Sequence, residues 1–295
     1  MPETLAPSPL RIGGTEFIWG RRTFVMGVIN ATPDSFSGDG IVDPTAAAWR
    51  AREMVEAGAD LIDIGAESTR PGAEPVNAES EWRRLGPALT AVRRVVDVPI
   101  SVDTSKPEIA RQAFAAGADA LNDVRGLRGD PELLAVLAAS GKPAFVMHNQ
   151  RGREFGGDVI RDVRAGLAAA IALAERAGVP RDRLVVDPGF GFGWGPVQNL
   201  ELVRRLGELR ALGRPLLIGA SRKSTIGYVL DRPEHARQWG TAATIALAIA
   251  GGVDIVRVHD VDAMSQVARM SDAIVSGWLP DDEQTREGGT HDARA

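Results

Sequence analysis

IVRVHD, residues 255–260, alternates apolar and polar side chains and stops on two polar ones. Period-two alternation puts Arg257 and His259 on one face of a strand and Val256 and Val258 on the other. The valines suit packing against helices, which leaves the cation and the imidazole facing inward. A cation in that position is costly unless a carboxylate or an anionic ligand meets it. Seven other short runs end in the same manner: TFVMGVIN (23–30), LIDIGAES (61–68), PISVDT (99–104), ALNDV (120–124), AFVMHN (144–149), LVVDPG (184–189) and PLLIGAS (215–221).

Amphipathic stretches separate these runs, among them DPTAAAWRAREMVEAG, PEIARQAFAAGA and VQNLELVRRLGELRALG, several opening on Asp or Pro and closing on Gly. The tetrapeptide AGAD occurs at 57–60 and again at 116–119, each time between a helix and a strand, as a weak internal repeat. Eight strand–helix pairs without a break, and no glycine fingerprint after the first strand, predict an α/β fold of one closed (β/α)8 barrel, the TIM-barrel class. Residues 9–22, around Gly13-Gly14, read as an N-terminal β-hairpin capping the barrel floor. The expected organisation is a disordered N-terminus over 1–8, one barrel domain over 9–279 and a loose polar tail over 280–295.

The bulk composition narrows the function classes. The 295 residues are 44% hydrophobic and 25% charged with a net charge of −5, a globular balance that gives nucleic acid no basic surface. No cysteine is present, which excludes disulfides, thiolate nucleophiles and Cys-based zinc sites and fits a reducing cytoplasm. MPETLAPSPL lacks the basic and apolar regions of a secretory leader, and the longest apolar stretch, TAATIALAIAGG from Thr241, is too short to span a bilayer. A cytoplasmic protein without a membrane partner is expected. Only three of the 34 basic residues are lysines, Lys106, Lys142 and Lys223, so a lysine at a motif position raises a chemical question.

Barrel enzymes carry their chemistry where strands run into the following loops. Those strand ends supply Asn30, Glu67, Asp103, Asn122 with Asp123, His148, Asp187, Lys223 and His259. Asp123 and Asp260 are adequately explained as caps of the loops or helices that follow. Two long loops, ATPDSFSGDGIVDPT after Asn30 and STRPGAEPVNAES after Glu67, read as candidate lids whose Ser, Thr and Arg70 donors suit phosphate oxygens. No P-loop or metalloprotease spacing occurs.

MGVINATPDSFS (26–37), DIGAESTRPG (63–72), SVDTSK (101–106), LNDV, DPGFGFG (187–193), GASRKS (219–224) and RVHDV (257–261), in that order, resemble the dihydropteroate synthase family from about residue 24 to 278. The resemblance implies condensation of 6-hydroxymethyl-7,8-dihydropterin pyrophosphate with 4-aminobenzoate to give 7,8-dihydropteroate and pyrophosphate in folate synthesis, with sulfonamides competing for the aminobenzoate site. It implies Asp103, Asn122, Asp187 and Lys223 as pterin ligands, and Arg257 and His259 as diphosphate anchors. Asn30 is implied as the Mg2+ ligand, and Thr69, Arg70, Pro71, Phe190 and Ser224 lie around the aminobenzoate. Asn30, Arg70, Asp103, Lys223, Arg257 and His259 form the expected catalytic set, in a dissociative reaction run by positioning and electrostatics.

The chain departs from the family pattern at SFSGDGI, at MHNQRG, which puts Asn149 at a usually apolar position, and at Trp194-Gly195-Pro196. A methyltetrahydrofolate methyltransferase on the same barrel is disfavoured by SRKS and TRPG. A non-catalytic pterin-binding relative is disfavoured because Lys223, Arg70 and Arg257 are all retained. TAATIALAIA, apolar all round, together with the family's habit, points to a homodimer.

Overall fold

The structure is a computed structural model and describes residues 7–32, 43–68 and 73–277. A short antiparallel hairpin, β1 (Leu10–Ile12) and β2 (Thr15–Phe17), comes first. Eight parallel strands follow in chain order: β3 (Phe24–Asn30), β4 (Leu61–Gly65), β5 (Ile100–Asp103), β6 (Ala120–Asp123), β7 (Ala144–Met147), β8 (Leu184–Asp187), β9 (Leu217–Ile218) and β10 (Ile255–Val258). Seven of the eight junctions are continuous ladders, β8-β7-β6-β5-β4-β3-β10-β9. The last closes through a single parallel bridge between Val186 and Leu216, with Val186 N–H donating to the Pro215 carbonyl at 2.9 Å.

The outer ring consists of α1 (Pro44–Glu56), α2 (Ala78–Arg93), α3 (Pro107–Ala115), α4 (Pro131–Ser140), α5 (Val159–Arg176), α6 (Pro196–Arg204), α7 (Ser224–Leu230), α8 (Gln238–Ala250) and α9 (Val261–Ser276). The start signals act as anticipated: Asp43, Asn77, Asp130 and Asp158 each accept a hydrogen bond from a first-turn N–H, and Pro44, Pro107, Pro131 and Pro196 open their helices. Two differences stand out. VQNLELVRRLGELRALG is divided, α6 ending at Arg204 before a 3-10 segment over Leu206–Leu212, and β9 is followed by two helices rather than one.

The AGAD repeat has a physical meaning. Gly58 and Gly117 adopt φ of 101° and 102°, turning the chain out of the helix. The acid that follows then accepts an N–H from the start of the preceding strand. Asp60 binds Val25 N at 2.7 Å and Asp119 binds Ile100 N at 3.0 Å, each also paired with an arginine, Arg22 or Arg93. Asp254 repeats the device on Leu216 N at 2.8 Å.

Strand parity sorts the core into two bodies. Outward residues such as Ile62, Ile64, Val102, Val256 and Val258 join the helices in one large apolar cluster. Inward residues at the lower end, Met26, Leu61, Phe145, Val185, Leu217 and Ile255, meet Leu10, Ile12, Phe17 and Trp19 of the hairpin region in a second cluster. The hairpin therefore caps the barrel floor, with Phe17, Trp19 and Phe24 rings 4.7–5.7 Å apart. Fully burying a side chain such as Phe17 contributes about 1.5–3 kcal/mol. Ser8 belongs to this plug, since its carbonyl accepts the Trp19 indole N–H at 3.0 Å. Residues 1–6 of the expected disordered N-terminus, and the tail over 280–295, lie outside the described residues, as do 33–42 in the first loop.

Candidate active site

Above the apolar floor the interior turns polar. Register places Val28 beside Asp63, Asp63 beside Ser101, and Asp103 beside both Gly65 and Asn122. Asp63, Asn122, Asp187 and Arg257 lie two residues above Leu61, Ala120, Val185 and Ile255, so these four strands change from apolar to polar as they rise. Nothing but the alternation of the pleat is needed to bring them together.

Asp63 is the hub of this layer. Its carboxylate is 0% exposed and accepts from Ser101 Oγ at 2.6 Å, Asn122 Nδ2 at 2.9 Å and Arg257 Nε at 2.7 Å. The sequence reading missed Asp63 because only the last residues of each run were taken as candidates. The available signal was an acid between two isoleucines in LIDIG, which parity turns inward. Arg257 continues through Nη2 to Asp103 at 3.2 Å, so one guanidinium joins two carboxylates on adjacent strands. The sequence expectation of an inward Arg257 that meets a carboxylate is satisfied twice.

Burial pushes the Asp103 carboxyl up to about 7, aided by the Asp63 charge and opposed by Arg257. Asp187 is pushed up to about 6, mainly by burial, although its Oδ1 accepts Gly189 N–H at 2.7 Å. Lys223 is pushed the other way, down to about 8, by burial and the Arg257 charge, with Asp187 pulling against them. No described residue accepts a hydrogen bond from the Lys223 ammonium, which lies 4.1 Å from the Phe192 ring centroid. Gly191, at φ 80°, makes room for the lysine stem: a Cβ there would sit 3.0 Å from Lys223 Cδ.

The imidazole of His259 sits beside Ser221, with Nδ1 3.0 Å from Ser221 Oγ. Asn30 ends β3 half-buried, and its amide has no hydrogen-bond partner among the described residues. Ser224 is the exposed first residue of α7. Thr69, Arg70 and Pro71 lie outside the described residues.

Phe190 requires a correction. The resemblance put it beside the aminobenzoate, but it is 2% exposed inside the apolar cluster between barrel and helices. The aromatic ring at Lys223 is Phe192, which Arg151 also approaches, its Cζ 4.9 Å from the centroid. Both phenylalanines follow a glycine in DPGFGFG, and a loop offers no pleat from which to tell them apart.

The unassigned strand ends are structural. Glu67 pairs with Lys106 at 2.6 Å, and Lys106 also pairs with the fully buried Glu81 at 2.5 Å, to which Thr104 donates at 2.7 Å. This network ties the second loop to α2 and β5. His148 packs behind the wall, its Nε2 donating to Gln150 Oε1 at 3.0 Å and its ring stacking on Trp194. Asp123 accepts from Ser105 Oγ and from the loop N–H groups of Arg125 and Leu127. Asp260 is structural too, through its ion pair with Arg222 rather than a helix cap.

Beside Asp103 a cleft of about 170 Å3 opens between the second and fifth loops, lined in part by Glu67, Ser68, Ser105, Val124, Asn149 and Arg151. A buried, polar-floored pocket with displaced carboxyl and ammonium titrations is where small-molecule chemistry is expected.

Residues 26–259 match the family described as pterin binding enzyme. The chain is 48% identical to the dihydropteroate synthase of Synechocystis over 277 residues, 91% of this chain and 96% of that one. Among solved structures, the Xanthomonas albilineans dihydropteroate synthase with 4-aminobenzoic acid is similar at a TM-score of 0.86 and 39% identity, covering 93% of this chain and all of that one (100%). The Yersinia pestis dihydropteroate synthase, in complex with a sulfonamide drug, is similar at a TM-score of 0.87 and 36% identity, covering 91% and 100%.

Proposed function

This chain belongs to the dihydropteroate synthases among the pterin-binding enzymes, and we propose from its geometry how the barrel mouth divides the work. The reaction joins 6-hydroxymethyl-7,8-dihydropterin pyrophosphate to 4-aminobenzoate and releases 7,8-dihydropteroate and pyrophosphate, a step of folate synthesis that sulfonamides target. The bond from the pterin methylene to the diphosphate oxygen breaks, a new bond to the aminobenzoate nitrogen forms, and a proton is released.

The pterin ring lies over the polar layer. Its adjacent amino and ring N–H groups make a donor pair that a carboxylate can accept, which suits Asp103 and Asp187. Asn122 offers the amide oxygen and the N–H that Asp63 leaves unused, and the Lys223 ammonium donates to the ring carbonyl side. A compact ammonium fits there where a planar guanidinium would not. Arg257 and His259 hold the diphosphate, so negative charge gathers on it beside fixed cations as the bond lengthens. The aminobenzoate enters above, between Phe192, Ser224 and the loop carrying Thr69, Arg70 and Pro71.

Asn30 fits a magnesium ion, because its amide, without a hydrogen-bond partner among the described residues, would supply one oxygen to a cation that prefers oxygen ligands. Bound there, magnesium neutralises charge on the leaving diphosphate. The observation that carries the whole assignment is the Asp63–Arg257–Asp103 chain, which puts a held cation next to an ionisable acceptor. The test is pyrophosphate release by the purified chain. It should require magnesium, the pterin diphosphate and 4-aminobenzoate together, and no condensation product under those conditions would overturn the reading.

A homodimer through the last helices is part of the proposal. Tyr228 on α7, Trp239 and Leu247 on α8, and Met270 and Ile274 on α9 are each more than 60% exposed, a run of apolar residues on successive helices that a second copy would cover. The cytoplasm is the proposed compartment, supported by the absence of cysteine. Among the described residues no helix is long and apolar enough to cross a membrane.

A further inference from the structure

We propose that Asp63 is a positioning residue for this reaction: its buried carboxylate orients Asn122 and Arg257 at once, so one anion sets both the pterin contact and the diphosphate anchor. The inference rests on the assignment of those two residues to pterin and diphosphate.

A carboxylate accepts hydrogen bonds and donates none. Asn122 must therefore turn its NH2 toward Asp63, where it lies at 2.9 Å, which leaves Oδ1 without a partner among the described residues and ready for a ring N–H. Against a neutral neighbour the same amide could sit either way round. Arg257 is likewise fixed in rotation, since Nε and Nη2 both reach Asp63 at 2.7 Å before Nη2 extends to Asp103 at 3.2 Å. Ser101 closes the remaining side at 2.6 Å. Asp63 itself is 0% exposed, so it touches no substrate and acts only through the residues it holds.

A purely structural ion pair would predict something different. It would fail as a unit, lowering stability and all ligand affinities together. A positioning role divides the ligands, because Asp63 holds the pterin and diphosphate groups and makes no contact with Phe192 or Ser224.

Asp63→Asn keeps the volume and removes the charge. Titration calorimetry should show 6-hydroxymethylpterin and magnesium pyrophosphate each weakened by about tenfold or more, the range seen when a group that orients a ligand-binding side chain is lost. The KM for 4-aminobenzoate should stay unchanged. The acid limb of kcat/KM should also move to lower pH. Asp103 is faced by Asp63 on β4, Asp123 on β6, Glu81 on α2 and Arg257 on β10, and the charge removed is the strongest of the three that raise it. Ser101→Ala loosens the same carboxylate without removing it and serves if Asp63→Asn does not fold. It should weaken the same two ligands, and by a smaller factor than Asp63→Asn, because only one of the hydrogen bonds that fix the carboxylate is lost.

Unchanged pterin and pyrophosphate binding in the folded variant would overturn the proposal, as would equal losses for all three ligands. If wild-type protein condenses the substrates while Asp63→Asn binds normally, the reaction stands and only the positioning role falls.

Discussion

Lys223 Nζ lies 4.1 Å from the centroid of the Phe192 ring, and no described residue accepts a hydrogen bond from it. Among the described residues this desolvated ammonium meets a ring face and the charges of Asp187 and Asp103, and it has donors to give a ligand. Lys223→Ala should raise the dissociation constant for the pterin by about 1–3 kcal/mol, the cost of losing a charged hydrogen-bond donor, while the melting temperature holds. Lys223→Arg should not restore binding, because a planar fork cannot occupy the space beside Gly191. Calorimetric titration with thermal melts checks both, and wild-type affinity in Lys223→Ala would refute the assignment.

The titrations of Asp103 and Asp187, near 7 and 6, and of Lys223, near 8, predict a bell-shaped kcat/KM for the pterin substrate. The carboxylates must lose their protons to accept ring N–H groups, and the lysine must keep its own. Stability has the opposite sign on the acid side. The folded protein holds protons on Asp103 and Asp187 that the unfolded chain has already released. That contribution is fully present below the ordinary value of 3.8 and is lost as pH rises through 6 and 7. Activity should therefore climb over the window in which ligand-free melting temperature declines. Asp103→Asn should remove the upper part of the acid limb and weaken pterin binding by about 1–3 kcal/mol.

Glu81 is fully buried and depends on Lys106 and Thr104. Lys106→Ala leaves that carboxylate without its cation, a change that costs about 3 kcal/mol for a buried pair. Urea unfolding should show the loss at neutral pH. Much of it should be recovered in the Lys106→Met, Glu81→Leu double variant, where neither charge remains. A double variant as unstable as the single one would show that the pair does more than satisfy itself.

Leu247 and Ile274 are 63% and 72% exposed on α8 and α9. Changing either to Glu should lower the mass in sedimentation equilibrium from that of two chains to that of one, with the barrel still folded. Monomeric wild-type protein at micromolar concentration would dispose of the proposed dimer.

How much of this was legible in advance follows from where each residue sits. In a strand, the pleat transmits direction, so IVRVHD alone was enough to turn Arg257 inward and Val256 outward. The same rule applied to LIDIG would have exposed Asp63, four residues before Glu67, which drew attention instead. In DPGFGFG the backbone passes through three glycines at positive φ, direction is set by that path, and the ring at Lys223 is Phe192 where the expectation named Phe190 for the site. Lys106 looked as conspicuous as Lys223, since both are rare lysines after strands. What distinguishes them is Glu81, a partner that arrives from a helix more than twenty residues away in sequence.

The hairpin that seals the floor with Ile12, Phe17 and Trp19 also governs traffic. A vessel closed at one end has a single door, and whatever lies deepest must arrive first and depart last. In the placement proposed above, with the pterin on the polar layer and the aminobenzoate over it, the second substrate obstructs the exit of the first. Loading is then compulsory in one sequence, and the joined product must leave by the same door.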